Sequence, residues 1–167
     1  MAPKFMVDLA PIRESRDFRY LFAGVSISTL GGQLTTVAIP FQTYSMTHSS
    51  FQVGLISFVQ FVPLIFGSLL GGTIGDVVDR RTLLRYSGLA SCVTAGLLAW
   101  NATLTHPSLL ALYLISAVAA GLTGFSNPAR NAAIPMLVKP SQLVAAYSFN
   151  QVSFQLAIVA GPAIAGL

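Results

Sequence analysis

Gly72-Thr-Ile-Gly75-Asp76-Val-Val-Asp79-Arg80-Arg81-Thr82-Leu83 sets two acids and two arginines between two long uncharged stretches. Residues 20–75 before it and 86–129 after it carry no formal charge, and neither do residues 140–167. Every charged side chain of the chain falls in one of three clusters, at 4–19, 76–85 and 130–139. A membrane helix needs about 20 apolar residues to cross a hydrocarbon core of roughly 30 Å. Residues 20–75 therefore fit two crossings and a turn, residues 86–129 fit two, and residues 140–167 fit one. Each pair of crossings returns the chain to its starting side, so the three clusters share a face. Lysine and arginine outnumber acids nine to five, and the opposite turns have neither. By the positive-inside rule the clustered face is cytoplasmic.

Composition agrees with that reading. Charged residues make up 8 % of the chain and hydrophobic residues 54 %, against about 25 % charged in a typical soluble domain. Mean hydropathy is +0.72. These values exclude a soluble enzyme, a nucleic-acid binder, a disordered tail and a disulfide scaffold. The basic pI of 9.6 then reflects topology, with anionic lipid as the natural contact of the basic residues and no nucleic acid implied.

The expected fold is all-α, a polytopic membrane helix bundle of five crossings, because helices satisfy their own backbone in lipid. A cytoplasmic lead-in occupies 1–19, and the bundle occupies 20–167. The crossings lie at about 20–44, 53–75, 83–104, 109–125 and 143–167. The N-terminus mixes both charge signs, unlike a secretory signal. Leu9, Ile12, Phe18 and Leu21 suggest an amphipathic segment on the membrane surface. Gly31-Gly32 and Pro40 interrupt the first crossing, and Ser45–Ser50 forms an outer turn. Trp100 marks the outer interface, and Cys92 reads as a small buried residue. Pro128, Pro135 and Pro140 argue against a continuous helix over 126–141. The chain stops inside apolar sequence, which reads as a fragment cut before a sixth crossing.

No carboxylate or basic side chain falls inside a crossing, so the segment offers no obvious proton relay. No metal-ligand cluster, cofactor motif or catalytic constellation is present. The polar content is neutral. Gln33, Gln60, Asn150 and Gln155 are the cavity candidates for a bulky neutral or amphipathic ligand, although interhelical hydrogen bonding is the commoner use of such groups. Gly67-Ser-Leu-Leu-Gly71 places small residues one turn apart, a pattern that favours static close packing. Asp76 sits at the C-terminal end of a crossing, where an acid opposes the helix macrodipole. It needs a partner: Arg80, Arg81, Arg130 or the N-terminus of another helix.

At these residues the chain resembles the major facilitator superfamily, whose signature between the second and third crossings is Gly-x-x-x-Asp-Arg-x-Gly-Arg-Arg. Gly72, Asp76, Arg80 and Arg81 match, while Val77 and Asp79 depart from the pattern. Gly161-Pro162-Ala-Ile-Ala165-Gly166 resembles the exporter-associated Gly-Pro-x-x-Gly-Gly motif, with Ala165 in place of one glycine. The stretches 40–55 and 127–139 are similar to the enterobactin-exporter and macrolide-efflux branch. An arginine found in the fourth crossing of many efflux members is replaced by Ala117.

The resemblance implies the first five helices of the N-terminal six-helix half of a twelve-helix transporter. It implies efflux of a siderophore-type or drug-type molecule across the inner membrane by alternating access, coupled to a proton gradient and completed by a missing C-terminal half. Gly72, Asp76, Asp79, Arg80, Arg81 and Arg130 would form a cytoplasmic gate. Gly161, Pro162 and Gly166 would form the hinge and packing face of the fifth crossing. Two other readings are uptake of a neutral nutrient on the same fold and a non-transporting membrane subunit.

Overall fold

The structure, a computed structural model, describes residues 14–75 and 78–165, except the side chains of Arg80 and Ala165. Its long elements are α1 (Arg16–Thr47), α2 (Ser50–Gly75), α3 (Arg80–Thr103), α4 (Leu109–Leu137) and α5 (Leu143–Ala165). A short 3-10 turn at Pro140–Gln142 precedes α5, and there is no strand among the described residues. The shortest helix, α5, has 23 residues and so extends about 34 Å, enough to cross a bilayer. By length and composition α1, α2, α4 and the 140–164 segment qualify as membrane spans. Helix α3 is long enough but less apolar. Three arginines open it, and Ser87, Ser91, Thr94, Asn101 and Thr103 follow.

Helix ends follow from local chemistry. Ser15 Oγ accepts from the Phe18 backbone N–H at 3.2 Å and starts α1. Asp79 caps α3, and Ser108 Oγ accepts from Ala111 N–H at 3.3 Å to cap α4. Helix α1 ends on His48, whose φ of 50° puts it in the left-handed region. Its N–H donates to Tyr44 O at 2.7 Å, satisfying one of the last carbonyls. The turn before α2 is thus shorter than the expected Ser45–Ser50.

Several expectations are corrected. Helix α1 runs unbroken through Gly31, Gly32 and Pro40. Helix α4 runs unbroken through Pro128 and Pro135, so the segment after residue 125 is helical as far as Leu137. Each proline removes one N–H, and the rest of the helical ladder remains to hold the segment. Phe18 and Leu21 belong to α1, and Phe18 is buried rather than spread on a lipid surface. Cys92 is exposed, because the buried stripe of α3 is Leu83, Ser87, Thr94, Leu98 and Asn101. Leu9 and Ile12 lie outside the described residues.

The chain divides into two compact units, residues 1–34 with 132–167, and residues 35–131. In the second, Ile39, Ile56, Leu98 and Leu112 form a buried cluster with Met46, Leu109, Tyr113 and Ile115 packed on it. Inside this unit α2 and α4 run parallel. Gly67 meets Gly121, Gly71 meets Phe125, and Gly75 meets Ala129, the contact sites rising together along both helices. In the other unit, Phe18, Ile134 and Ala146 are buried, with Leu21, Phe22, Leu137 and Val138 around them. There α1 and α5 run parallel. Phe22 packs edge-on against Phe149, Ser153 Oγ donates to Ser26 Oγ at 2.7 Å, and Gly161 meets Gln33. Parallel packing of first with fifth and second with fourth helix is what a chain crossing back and forth requires. Most buried hydroxyls bond back to their own helix, as Thr43 Oγ1 does to Ile39 O at 2.8 Å, so they enter the packed faces without an unmet donor.

Candidate functional site

Of the expected gate residues, Gly72 lies in the last turns of α2, Asp79 and Arg81 at the start of α3, and Arg130 on α4. A Cβ built on Gly67 would collide with the carbonyl oxygen of Gly121, one on Gly71 with that of Phe125, and one on Gly124 with that of Leu64. These three glycines let the two backbones touch. Further along, a Cβ on Gly75 would come 4.0 Å from Ala129 Cβ. The end of α2 is thereby set against the turn of α4 that carries Arg130. Arg130 is half-buried, and its Nε is buried with no hydrogen-bond partner among the described residues. Gly72 faces open space, with nothing within 4 Å of a built Cβ. Asp76 and Gly166 lie outside the described residues, and so does the side chain of Arg80.

Asp79 turns out to have a local task. Its Oδ2 accepts from the backbone N–H of Thr82 at 3.1 Å and from the Thr82 hydroxyl at 3.0 Å. The Thr82 side chain first, and its backbone second, hold the Asp79 carboxyl below the usual carboxylate range. An acid at a helix N-terminus is favoured by the macrodipole. The presence of this second aspartate therefore needs no gate to explain it. Arg81 is exposed at the start of α3.

Among the cavity candidates, Gln33 is half-buried and lies against Gly161: a Cβ on Gly161 would stand 2.5 Å from Gln33 Cβ and 3.2 Å from its carbonyl carbon. Gln60 and Asn150 are half-buried, and Gln155 is exposed. No described hydrogen bond joins these three to another candidate. Pro162 is exposed within α5, where it leaves the helix unbroken.

Three polar links escaped the sequence reading. Tyr113 O–H reaches Gln52 Oε1 at 2.7 Å and Gln52 O at 2.9 Å, tying α4 to the start of α2. Asn101 makes a reciprocal pair with the Ser108 backbone, Nδ2 donating to O at 3.2 Å and Oδ1 accepting from N–H at 3.0 Å. Glu14 Oε2 accepts from Lys139 Nζ at 2.9 Å and from Gln142 Nε2 at 3.0 Å. Each joins residues far apart in sequence or hidden in a turn, so no local pattern announces it. The partner glycines Gly121 and Gly124 do carry a signal, small residues three apart on one helix face.

A family model described as transmembrane secretion effector, within the major facilitator superfamily, matches residues 6–167. The enterobactin exporter EntS of Escherichia coli O1:K1 / APEC is 31 % identical over 167 residues, covering 98 % of this chain and 39 % of that protein. The enterobactin exporters EntS of Escherichia coli O157:H7 (strain EC4115 / EHEC) and of Shigella boydii serotype 18 give the same identity and coverage. The chain spans 39 % of the length of these curated relatives. No solved structure gives a significant match.

Proposed function

This chain belongs to the transmembrane secretion effectors of the major facilitator superfamily, and from that premise we propose that it works within an efflux transporter for amphipathic small molecules of the siderophore type. The N-terminus and the 76–85 and 130–139 clusters face the cytoplasm of the inner membrane. Transport proceeds by alternating access and is driven by a proton gradient whose coupling group lies outside the five helices, since these crossings carry no ionisable carboxylate. The substrate cavity is completed by a second half, as transporter cavities form between repeats.

One observation supports this reading above the rest. Close glycine contacts set the end of α2 at Gly75, the residue before Asp76 in the sequence, beside the turn of α4 that holds a half-buried arginine. A half-buried guanidinium whose Nε has no partner among the described residues is costly unless another group serves it. Asp76, with Gly72, Arg80, Arg81 and Arg130, forms a latch on the cytoplasmic face that holds one state of the transport cycle. Gly161, Pro162 and Gly166 act as the hinge and packing positions of the fifth crossing. Gln33, Gln60, Asn150 and Gln155 supply neutral hydrogen-bonding groups to the cargo.

The native gene, expressed in a host stripped of its own exporters, tests this against a panel of catecholate siderophores and macrolides. Export of at least one panel member is expected. Asp76→Asn is expected to abolish that export while membrane insertion stays at the wild-type level. Inward flux in vesicles would turn the reading to uptake, and full export by Asp76→Asn would remove the latch.

A further inference from the structure

Gln33 and Gly161 enter the functional reading as separate residues, one a cargo contact and one part of a bend. The structure makes them neighbours. Gly161 is buried, and a Cβ there would stand 2.5 Å from Gln33 Cβ and within 3.4 Å of its Cα and carbonyl carbon. Contact at 2.5 Å is far inside van der Waals separation, so no other residue type fits unless α1 moves. The Gln33 amide is half-exposed and forms no hydrogen bond among the described residues, which leaves its donors and acceptor for a ligand. On either side of the contact stand weak points of helix. Gly31 and Gly32 precede Gln33, and Pro162 follows Gly161, leaving the carbonyl four residues before it without its N–H partner. About two turns back along both helices, the Ser26–Ser153 hydrogen bond pins the register.

We propose that Gly161 is a positioning residue for Gln33: bending of α5 at Gly161–Pro162 resets the height and aim of the Gln33 amide against a neutral, hydrogen-bonding part of the cargo. The proposal rests on the efflux reading for the cargo, and on the Gly161–Gln33 contact for the mechanism. Bend and cargo contact then act as one part. When α5 straightens or kinks, the backbone of Gln33 follows, because there is no Cβ between them to take up the movement. The amide gives or accepts hydrogen bonds without charge, so its preference is for catechol, amide or ester oxygens over ionic groups.

The experiment uses the native full-length gene in a Cys92→Ser background and has two arms. In the first, Gln33→Cys is labelled with a maleimide in membranes, with Gly161 or Gly161→Ala beside it. The rate is expected to change roughly tenfold with Gly161→Ala, the size of effect overpacking produces. In the second, export is measured with Gln33 intact. Gly161→Ala and Gln33→Ala are each expected to raise KM roughly tenfold with the maximal rate held, as loss of cargo binding does. The double variant Gly161→Ala/Gln33→Gly removes the clash. It is expected to restore membrane yield and a Ser26→Cys/Ser153→Cys cross-link, but not KM. Recovery of KM along with yield would make the contact mere packing and overturn the proposal, as would an unchanged labelling rate with unchanged KM. Absence of any export by wild type, with labelling still sensitive to Gly161→Ala, would sink the efflux reading and leave the contact standing.

Discussion

The backbone of Gly71 rests directly on the carbonyl of Phe125, with no room for a single methyl group between α2 and α4. Gly67 on Gly121 and Gly124 on Leu64 repeat the arrangement within two turns. Lipid offers no hydrophobic drive for helices to associate, so this van der Waals contact, together with the Tyr113–Gln52 hydrogen bonds, holds the pair.

Gly67→Val, Gly71→Val or Gly124→Val should therefore each cost about 1–3 kcal/mol by overpacking. Gly72→Ala, Gly88→Ala and Gly96→Ala, where a built Cβ meets nothing within 4 Å, should be neutral or gain up to about 1 kcal/mol from helix propensity. Thermal unfolding in detergent separates the two sets.

Asn101→Ala should lower stability by about 1–2 kcal/mol, the worth of two hydrogen bonds lost to the Ser108 backbone. Asn101 is only 4 % exposed, so Asn101→Leu should fail to compensate although it is more apolar. The same unfolding assay reads both, and protease sensitivity of the 104–108 turn should rise in each.

Tyr113→Phe should cost about 0.5–1 kcal/mol, the usual range for a polar pair between membrane helices. Gln52→Ala should cost less, because the Gln52 backbone carbonyl, 2.9 Å from the phenol, remains as acceptor. Equal losses in the two variants would show that the side-chain amide alone matters.

The Glu14–Lys139 contact should make stability depend on pH and salt. Lys139 and Gln142 hydrogen bonds hold the Glu14 carboxyl below its ordinary 4.5. Glu14 in turn holds the Lys139 ammonium above its ordinary 10.5. The Glu14 share is complete above the ordinary carboxylate value and is lost as pH falls through the lowered one. The Lys139 share is complete below its ordinary value and is lost as pH rises through the raised one. Glu14→Gln should accordingly melt below wild type near neutral pH, and the gap should close in strong acid. It should also shrink in about 1 M salt, because both groups are exposed.

The charge clusters place a turn between the second and third crossings, and the structure describes α2 over Ser50–Gly75 and α3 from Arg80 on either side of it. Which face of each helix is buried was not readable by the soluble rule. The inward stripe of α3 holds Ser87, Thr94 and Asn101, while Leu89, Val93 and Trp100 point outward. In lipid, small and polar side chains mediate helix contact and large apolar ones face the tails, so the polarity of the stripe is reversed. Cys92 was misplaced for that reason. Pro128 and Pro135 misled in another way, since each removes a single N–H and α4 keeps the rest of its ladder through both. Gly67 and Gly71 announced a close contact, but their partners Gly121 and Phe125, more than fifty residues away, could only be found by folding the chain. Of the gate, Gly72, Asp76 and the arginines stood out as a motif. The neighbourhood of Arg130 did not, because it depends on how α2 and α4 pack.

The parallel pairing of α1 with α5 has a consequence for biosynthesis. Ser26 and Ser153 are 127 residues apart, and a ribosome adding roughly 5–20 residues per second needs about 6–25 s to make that interval. Gln52 and Tyr113 are 61 apart, so α2 meets its partner in about half the time. For the rest of the interval the Phe22, Ser26 and Gln33 face of α1 stays bare, although Ile39 and Met46 further along the same helix already have Ile56 and Leu112 to pack on. Whatever shelters that side, translocon wall or chaperone, acts on a helix that finds partners at one end well before the other.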